Sequence, residues 1–152
     1  MTRTKHLAGW GRTTFWMMAS VSLLLWVTGV VMFVLPVSEL MDMSPSQVAW
    51  RHQAGVIHGV CTWLFCVLCG RGVWPHVRVM WHKQSDLPQW ALGLLNLAVL
   101  CIMAITGLTL LYGNPDLHES ASPWHFWMGA LSAAVFLAHT WRRFFPAQSE
   151  PV

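Results

Sequence analysis

The chain has few charged residues. Aspartate, glutamate, lysine and arginine make up 10% of its 152 residues, whereas a soluble domain carries roughly a quarter. Hydrophobic residues account for 55% of the sequence. It offers no nucleophile–base pair and no loop long enough to shape a substrate pocket. The scarcity of charge indicates a membrane protein, and the missing catalytic groups argue against a complete enzyme.

Four apolar runs, at 13–35, 53–74, 88–111 and 124–145, stand out in the sequence. Each is long enough for a membrane-spanning helix, which needs about 20 residues. The alternation typical of barrel strands is absent, so helices are the expected spanning element. The first run is too long for a signal peptide and lacks a small-residue cleavage site. We therefore predict an all-α four-helix transmembrane bundle, up-down-up-down, forming one membrane domain over 1–152.

Basic residues predict the orientation in the membrane. Eight of the nine lysines and arginines lie on the side of the predicted spans that holds both termini. They are Arg3, Lys5, Arg12, Arg71, Arg78, Lys83, Arg142 and Arg143. The other side has Arg51 and the acidic residues Glu39, Asp42, Asp116 and Glu119. The positive-inside rule places both termini in the cytoplasm, and the net charge of +3 needs no nucleic-acid partner to explain it.

Two histidines interrupt the fourth apolar run. His125 and His139 stand fourteen residues apart, which in an α-helix is an advance of about 21 Å and nearly four turns. They therefore share a helix face, one near each side of the membrane. Zinc needs several ligands within a few ångströms, and a proton relay would need carriers where only Ser132 stands. Two hemes stacked across the bilayer, each bound by one of these imidazoles, suit the spacing.

Each heme then needs an opposite ligand from another helix. His58 is the expected partner of His125, because both lie near the outer ends of their helices, and His52 is the second choice. A neutral imidazole ligand needs its other nitrogen held by a hydrogen bond. The hydroxyl groups expected in that role are those of Ser132, Thr140 and Thr62.

Motifs on all four predicted helices resemble those of one family. The fourth helix has His125, then Gly129 four positions on, then His139. The weaker motifs are Arg12, Trp16 and Thr28-Gly29 on the first helix, His58, Arg71 and Trp74 on the second, and Thr106-Gly107 on the third. Over roughly residues 12–145 the chain resembles the diheme cytochrome b subunits that anchor membrane-bound formate dehydrogenases (the gamma subunit) and nickel–iron hydrogenases. The bacterial superoxide-oxidising cytochrome b is similar in architecture.

One position departs from the family pattern. Phe15 stands where the family places a histidine ligand on the first helix, and phenylalanine cannot bind iron. Three outcomes are open for the inner heme of His139. Another inner histidine replaces the ligand, with His76 best placed and His82 and His6 poorer; the heme is five-coordinate; or it is absent. We expect two hemes.

The resemblance implies an electron-transfer subunit of the bacterial inner membrane, surrounded by lipid and part of a hetero-oligomeric respiratory complex. It would connect a periplasmic iron–sulfur or cytochrome c subunit with the quinone pool. The quinone is expected against Arg71 and His76, near the inner heme. Two alternatives are a stand-alone superoxide:quinone oxidoreductase of the same fold, which the acidic outer loops disfavour, and a heme-free membrane transporter or assembly protein, for which Asn96 alone offers a polar path.

Overall fold

The structure, a computed structural model, describes residues 11–36, 41–83 and 87–144. These ranges contain four α-helices and no strand: α1 (Arg12–Val34), α2 (Pro45–Lys83), α3 (Leu87–Tyr112) and α4 (Pro115–Phe144). The predicted all-α class is therefore confirmed for the described part of the chain.

Helices α2 and α4 begin well before the apolar runs that predict them. At the start of α2, the side-chain oxygen of Gln47 accepts a hydrogen bond from the Ser44 backbone N–H at 2.8 Å, which satisfies one exposed donor of the first turn. At the start of α4, the Asn114 side chain accepts the backbone N–H of Leu117 at 2.9 Å. These polar caps, rather than the apolar boundary, determine where the two helices start.

Three helices of the described ranges are long and apolar enough to cross a membrane: Arg12–Val34, Pro45–Trp81 and Leu87–Tyr112. Only 22%, 11% and 6% of their most apolar stretches, in that order, is buried within the protein. Such extensive exposed apolar surface is characteristic of interaction with lipid or another protein. The three helices therefore indicate a membrane protein.

Helix α4 does not reach the same hydropathy. Its uncharged stretch contains two histidines and three tryptophans among the apolar side chains, and these lower the mean hydropathy. The prediction of spanning helices is thus confirmed by length and composition for α1, α2 and α3. For α4 it stays a prediction.

The chain divides into two compact units, residues 1–84 and 85–152. In the first, α1 packs against α2; in the second, α3 packs against α4. Each unit is a hairpin of two consecutive helices, and each is described by itself below. The prediction of one membrane domain over 1–152 stays a prediction.

Candidate functional site

In the first hairpin, a threonine of α1 contacts His58, one of the histidines of α2. The hydroxyl oxygen of Thr28 lies 2.9 Å from Nδ1 of His58. The same hydroxyl lies 2.6 Å from the backbone oxygen of Leu24 and 3.2 Å from that of Leu25, on its own helix. Thr28 is buried, with 6% of its surface exposed. The imidazole is thus held by a hydroxyl that is itself held by the backbone.

These distances favour one tautomer of the His58 ring. A hydroxyl has one proton to donate, and a carbonyl oxygen can only accept. Because the Thr28 hydroxyl donates to the Leu24 oxygen, it accepts the hydrogen bond from His58, and Nδ1 is the donor. The lone pair of the neutral ring then lies on Nε2. This is the arrangement in which protein imidazoles bind metals, with the second nitrogen donating to a fixed acceptor.

The residue after Thr28 makes room for the same ring. A Cβ atom placed on Gly29 would lie 3.6 Å from Cε1 of His58, so the imidazole passes directly over this glycine. The Thr-Gly dipeptide therefore acts as a pair, in which threonine accepts the ring proton and glycine lets the ring approach the helix.

The second hairpin repeats this arrangement. The hydroxyl oxygen of Thr106 on α3 lies 2.9 Å from Nδ1 of His125 on α4, and the hydroxyl donates to the backbone oxygen of Ile102 at 2.9 Å. A Cβ atom on Gly107 would lie 3.3 Å from Cε1 of His125. The same reasoning favours the tautomer of His125 with the proton on Nδ1 and the lone pair on Nε2. Two hairpins of different sequence thus present one histidine each in the same threonine contact.

His139 also lies against a glycine of α3. A Cβ atom on Gly93 would lie 3.1 Å from Cε1 of His139, closer than ordinary packing allows. The Gln89 side chain donates a hydrogen bond to the His139 backbone oxygen and ties the two helices together at this level. Gly93 and Gly107 are fourteen residues apart, as are His125 and His139. Helix α3 therefore has one glycine against each of these two histidines of α4.

The described residues contain no group of three or more histidine, cysteine or acidic side chains that could bind a metal ion. All four cysteines are free thiols. The part of the chain that the structure describes therefore offers no site for a metal bound only by protein side chains. A metal that brings its own macrocycle does fit, because a porphyrin supplies four nitrogen ligands and leaves one or two axial positions for imidazole.

The remaining predicted site residues lie elsewhere on α2. His52 is exposed and stands six residues before His58, which turns it about 120° away around the helix. His76 is half-buried and lies about five turns beyond His58, on the same face. Arg71 is exposed and points about 140° away from His76 around the helix axis. His6 lies outside the described residues, as does the side chain of His82.

The hydroxyl groups that hold the imidazoles are not the predicted ones. Thr62 donates to the backbone oxygen of His58 at 2.8 Å. Ser132 and Thr140 likewise donate to carbonyl oxygens of their own helix, those of Gly129 and Phe136. None of the three contacts an imidazole through these hydrogen bonds. These hydroxyls, although close to a histidine in sequence, donate hydrogen bonds to carbonyl oxygens of their own helix. The rings of His58 and His125 are instead contacted by a threonine of the adjacent helix. The feature of the sequence that points to the hydroxyls in contact with the rings is the Thr-Gly dipeptide, which occurs on both α1 and α3.

The fold and these contacts define a class: a helical protein with membrane-spanning helices, whose hairpins each present a threonine-held imidazole. Comparison of the chain with protein-family models, curated proteins and solved structures gives no match. The resemblance to cytochrome b subunits stays a prediction.

Proposed function

We propose that the chain is a b-type cytochrome that binds heme through His58, His125 and His139. The observation that carries the proposal is the repeated pair, Thr28 with His58 and Thr106 with His125, each hydrogen bond 2.9 Å long. A heme ligand needs a fixed tautomer, because Nε2 must keep its lone pair for the iron.

His58 and His125 have the same kind of threonine partner and the same adjacent glycine. In line with the prediction from sequence, we propose that the two histidines would hold one heme. His139 lies about 21 Å along α4 from His125 and is assigned to a second heme. When bound, the hemes supply one-electron couples.

The chain's own part is to hold the imidazoles in position and to keep water away. The burial of Thr28 shields its hydrogen bond to His58 from solvent. A donated Nδ1 proton makes an imidazole a stronger electron donor toward iron. Both effects act on the potential of a bound heme rather than on any bond of a substrate, which fits an electron-transfer role.

We further propose the cellular setting from the charge pattern and the apolar helices. The chain is placed in the bacterial inner membrane with both termini in the cytoplasm, as an electron-transfer subunit of a larger complex. Its partners would be a periplasmic redox subunit with an iron–sulfur centre or cytochrome c, and quinone. Arg71 and His76, at the inner end of α2, are the candidate quinone contacts.

Heme content tests the proposal. We expect a pyridine hemochrome assay on purified protein to give two hemes b per chain. His58→Ala and His125→Ala should each lose the same heme, and His139→Ala should lose the other. His118→Ala is the control, because His118 is exposed at the start of α4, and it should keep both. A colourless protein, or one whose heme content is unchanged by all four substitutions, would overturn the proposal.

A further inference from the structure

Arginine and tryptophan alternate on one exposed face of α2. The four residues are Arg71, Trp74, Arg78 and Trp81, all exposed, and their spacing keeps them within about 80° of one another around the helix. Trp74 is 70% exposed and Trp81 is 53% exposed. Together they extend about 15 Å along the helix axis. We call these four residues the arginine–tryptophan row.

The same face of α2 is apolar before the row begins. Val60, Leu64 and Val67 lie within about 40° of Arg71 around the helix, and they are 56%, 50% and 66% exposed, in that order. A change from aliphatic side chains to arginine and tryptophan is typical of the boundary between the hydrocarbon core of a bilayer and its headgroups. The pattern indicates that this face of α2 meets such a boundary near Arg71.

The two helices of the first hairpin have no acidic residue. Neither α1 nor α2 contains aspartate or glutamate. Asp42, the one acidic residue of the described range 41–83, precedes α2. Arg71 stands 26 residues after Pro45, the first residue of α2, which is about 39 Å along the helix. The row therefore presents positive charge to its surroundings and favours an anionic partner.

A third arginine lies at the same end of the first hairpin. Gly29 of α1 lies against His58 of α2. Seventeen residues back along α1 and seventeen forward along α2 lead from this contact to Arg12 and Pro75, because the helices of a hairpin are antiparallel and advance equally per residue. Arg12 and Trp16, about one turn apart on α1, are both exposed. Arginine and exposed tryptophan thus occur together at this end of both helices.

We propose that the arginine–tryptophan row binds the headgroup of an anionic phospholipid, whose acyl chains lie along the aliphatic side chains before Arg71. The guanidinium groups of Arg71 and Arg78 donate paired hydrogen bonds to phosphate oxygens, a geometry that arginine is suited to. Trp74 stands between them in the row, and its indole N–H donates to a headgroup oxygen while the ring contacts acyl chain. The inference does not depend on bound heme, because the row belongs to α2 alone.

A phospholipid fits this face better than a free anion does. Free phosphate would use the arginines and leave the exposed aliphatic side chains in contact with water, which is unfavourable. A phospholipid joins a phosphate to acyl chains in one molecule and so occupies both parts of the face. Only 11% of the most apolar stretch of α2 is buried within the protein, which leaves this surface open to acyl chains.

Native mass spectrometry of the purified full-length protein in detergent tests the proposal. Phosphatidylglycerol and phosphatidylcholine with identical acyl chains are added in turn; each has one phosphate, but only phosphatidylglycerol has a net negative charge. We expect phosphatidylglycerol to bind more tightly. A basic residue near a membrane surface contributes about 1 kcal/mol, so Arg78→Gln should weaken phosphatidylglycerol binding about fivefold. Binding of phosphatidylcholine should change little.

Matched variants separate the row from net charge. Arg51→Gln removes the same charge from the other end of α2 and should leave the preference for phosphatidylglycerol unchanged. Arg78→Lys keeps the charge and should keep most of the preference. Arg71 is also a candidate quinone contact, so the comparison uses Arg78. The unmodified protein gives a further measurement, because the preference should decrease with rising salt concentration if the charges are exposed.

Contrary outcomes can be told apart. Equal binding of the two lipids, or a preference that salt does not weaken, would overturn the inference. Equal losses in Arg51→Gln and Arg78→Gln would also overturn it, because net charge would then be the cause. Displacement of phosphatidylglycerol by inorganic phosphate would identify a site for free anions instead. A colourless protein that still prefers phosphatidylglycerol would overturn the proposed function and leave this inference in place.

Discussion

Thr28 and Thr106 each make two hydrogen bonds in opposite senses. Their hydroxyl protons go to carbonyl oxygens one turn back in the same helix, a common bond for threonine in helices. Their oxygens then remain as acceptors, and the imidazoles of His58 and His125 use them. A threonine whose hydroxyl would otherwise bond only to its own helix thereby favours one tautomer of the histidine on the adjacent helix.

Removing these hydroxyls should weaken heme binding without unfolding the protein. Thr28→Val and Thr106→Val keep the shape of the side chain but lose the acceptor for Nδ1. Loss of such a contact typically costs about 10–100-fold in metal affinity, to be measured by heme dissociation to apomyoglobin. Thr109→Val is the control on the same helix, because the Thr109 hydroxyl donates to the Ile105 oxygen. Equal heme loss in all three variants would contradict this explanation.

Alanine should be tolerated less well at Gly93, which lies against a histidine ring, than at Gly59, which has open space around it. Gly93→Ala would place Cβ 3.1 Å from the ring of His139 and should displace it, lowering the content of the second heme. Gly59→Ala is the control on α2, because nothing lies within 4 Å of the added atom. There alanine should stabilise the helix by about 0.5–1 kcal/mol. Heme content and melting temperature in detergent measure both effects, and intact heme binding in Gly93→Ala would refute the steric argument.

The candidate histidines were predictable from the sequence, whereas their hydrogen-bond partners were not. An ionisable residue within an apolar run is conspicuous, and spacing alone places His125 and His139 on one face. The partner of each ring depends on how the neighbouring helix is rotated, which one sequence does not reveal. The Ser132 hydroxyl donates to Gly129 of its own helix, and its role beside a ligand stays a prediction.

At the scale of the helix, α4 differs from the other three helices. It has the same helical form but a lower hydropathy, because the side chains that can bind a cofactor are also polar. Placing histidine in the bilayer is costly for an isolated helix. Contacts with α3, such as those of Gly107 and Gly93, reduce that cost by covering the rings.

We therefore expect α4 to insert into membranes poorly by itself. A translocon insertion assay on residues 115–144 should give a low inserted fraction, and α3 tested alone should insert almost completely. Replacing both His125 and His139 by leucine should raise insertion of α4, since leucine favours the membrane interior. The control replaces Ala130 and Ala134 by leucine, which adds apolar surface without removing histidine. Efficient insertion of unmodified α4 would contradict the idea that its two histidines make insertion into the bilayer costly.

The existence of the four helices followed from the apolar runs, but their ends did not. A run reports where side chains are apolar, whereas a helix continues as long as its backbone hydrogen bonds do. Helix α4 accordingly starts at Pro115 and includes Pro123 within it, although the run begins at 124. Helix α2 likewise continues beyond Pro75.

At the scale of the whole molecule, the two hairpins share a plan but not a sequence. Each consists of a helix with a Thr-Gly dipeptide followed by a helix whose histidine lies against that dipeptide. The second hairpin has, in addition, the contact of His139 with Gly93.

Orientation is a property of the whole chain and is testable as such. The basic residues predict both termini and the connection between α2 and α3 in the cytoplasm. Alkaline phosphatase fused after α1 or α3 should be active in the periplasm, and fused after α2 or α4 it should be inactive. Green fluorescent protein at the same positions should show the reverse pattern. Active phosphatase after α4 would mean an odd number of membrane crossings.

The two threonine–histidine pairs also bear on protons. The ring proton goes to a threonine oxygen, and the threonine proton goes to a backbone oxygen that has none to pass on. Each path ends there, within two hydrogen bonds. If heme is bound at these histidines as proposed, its reduction would therefore draw no proton through either pair.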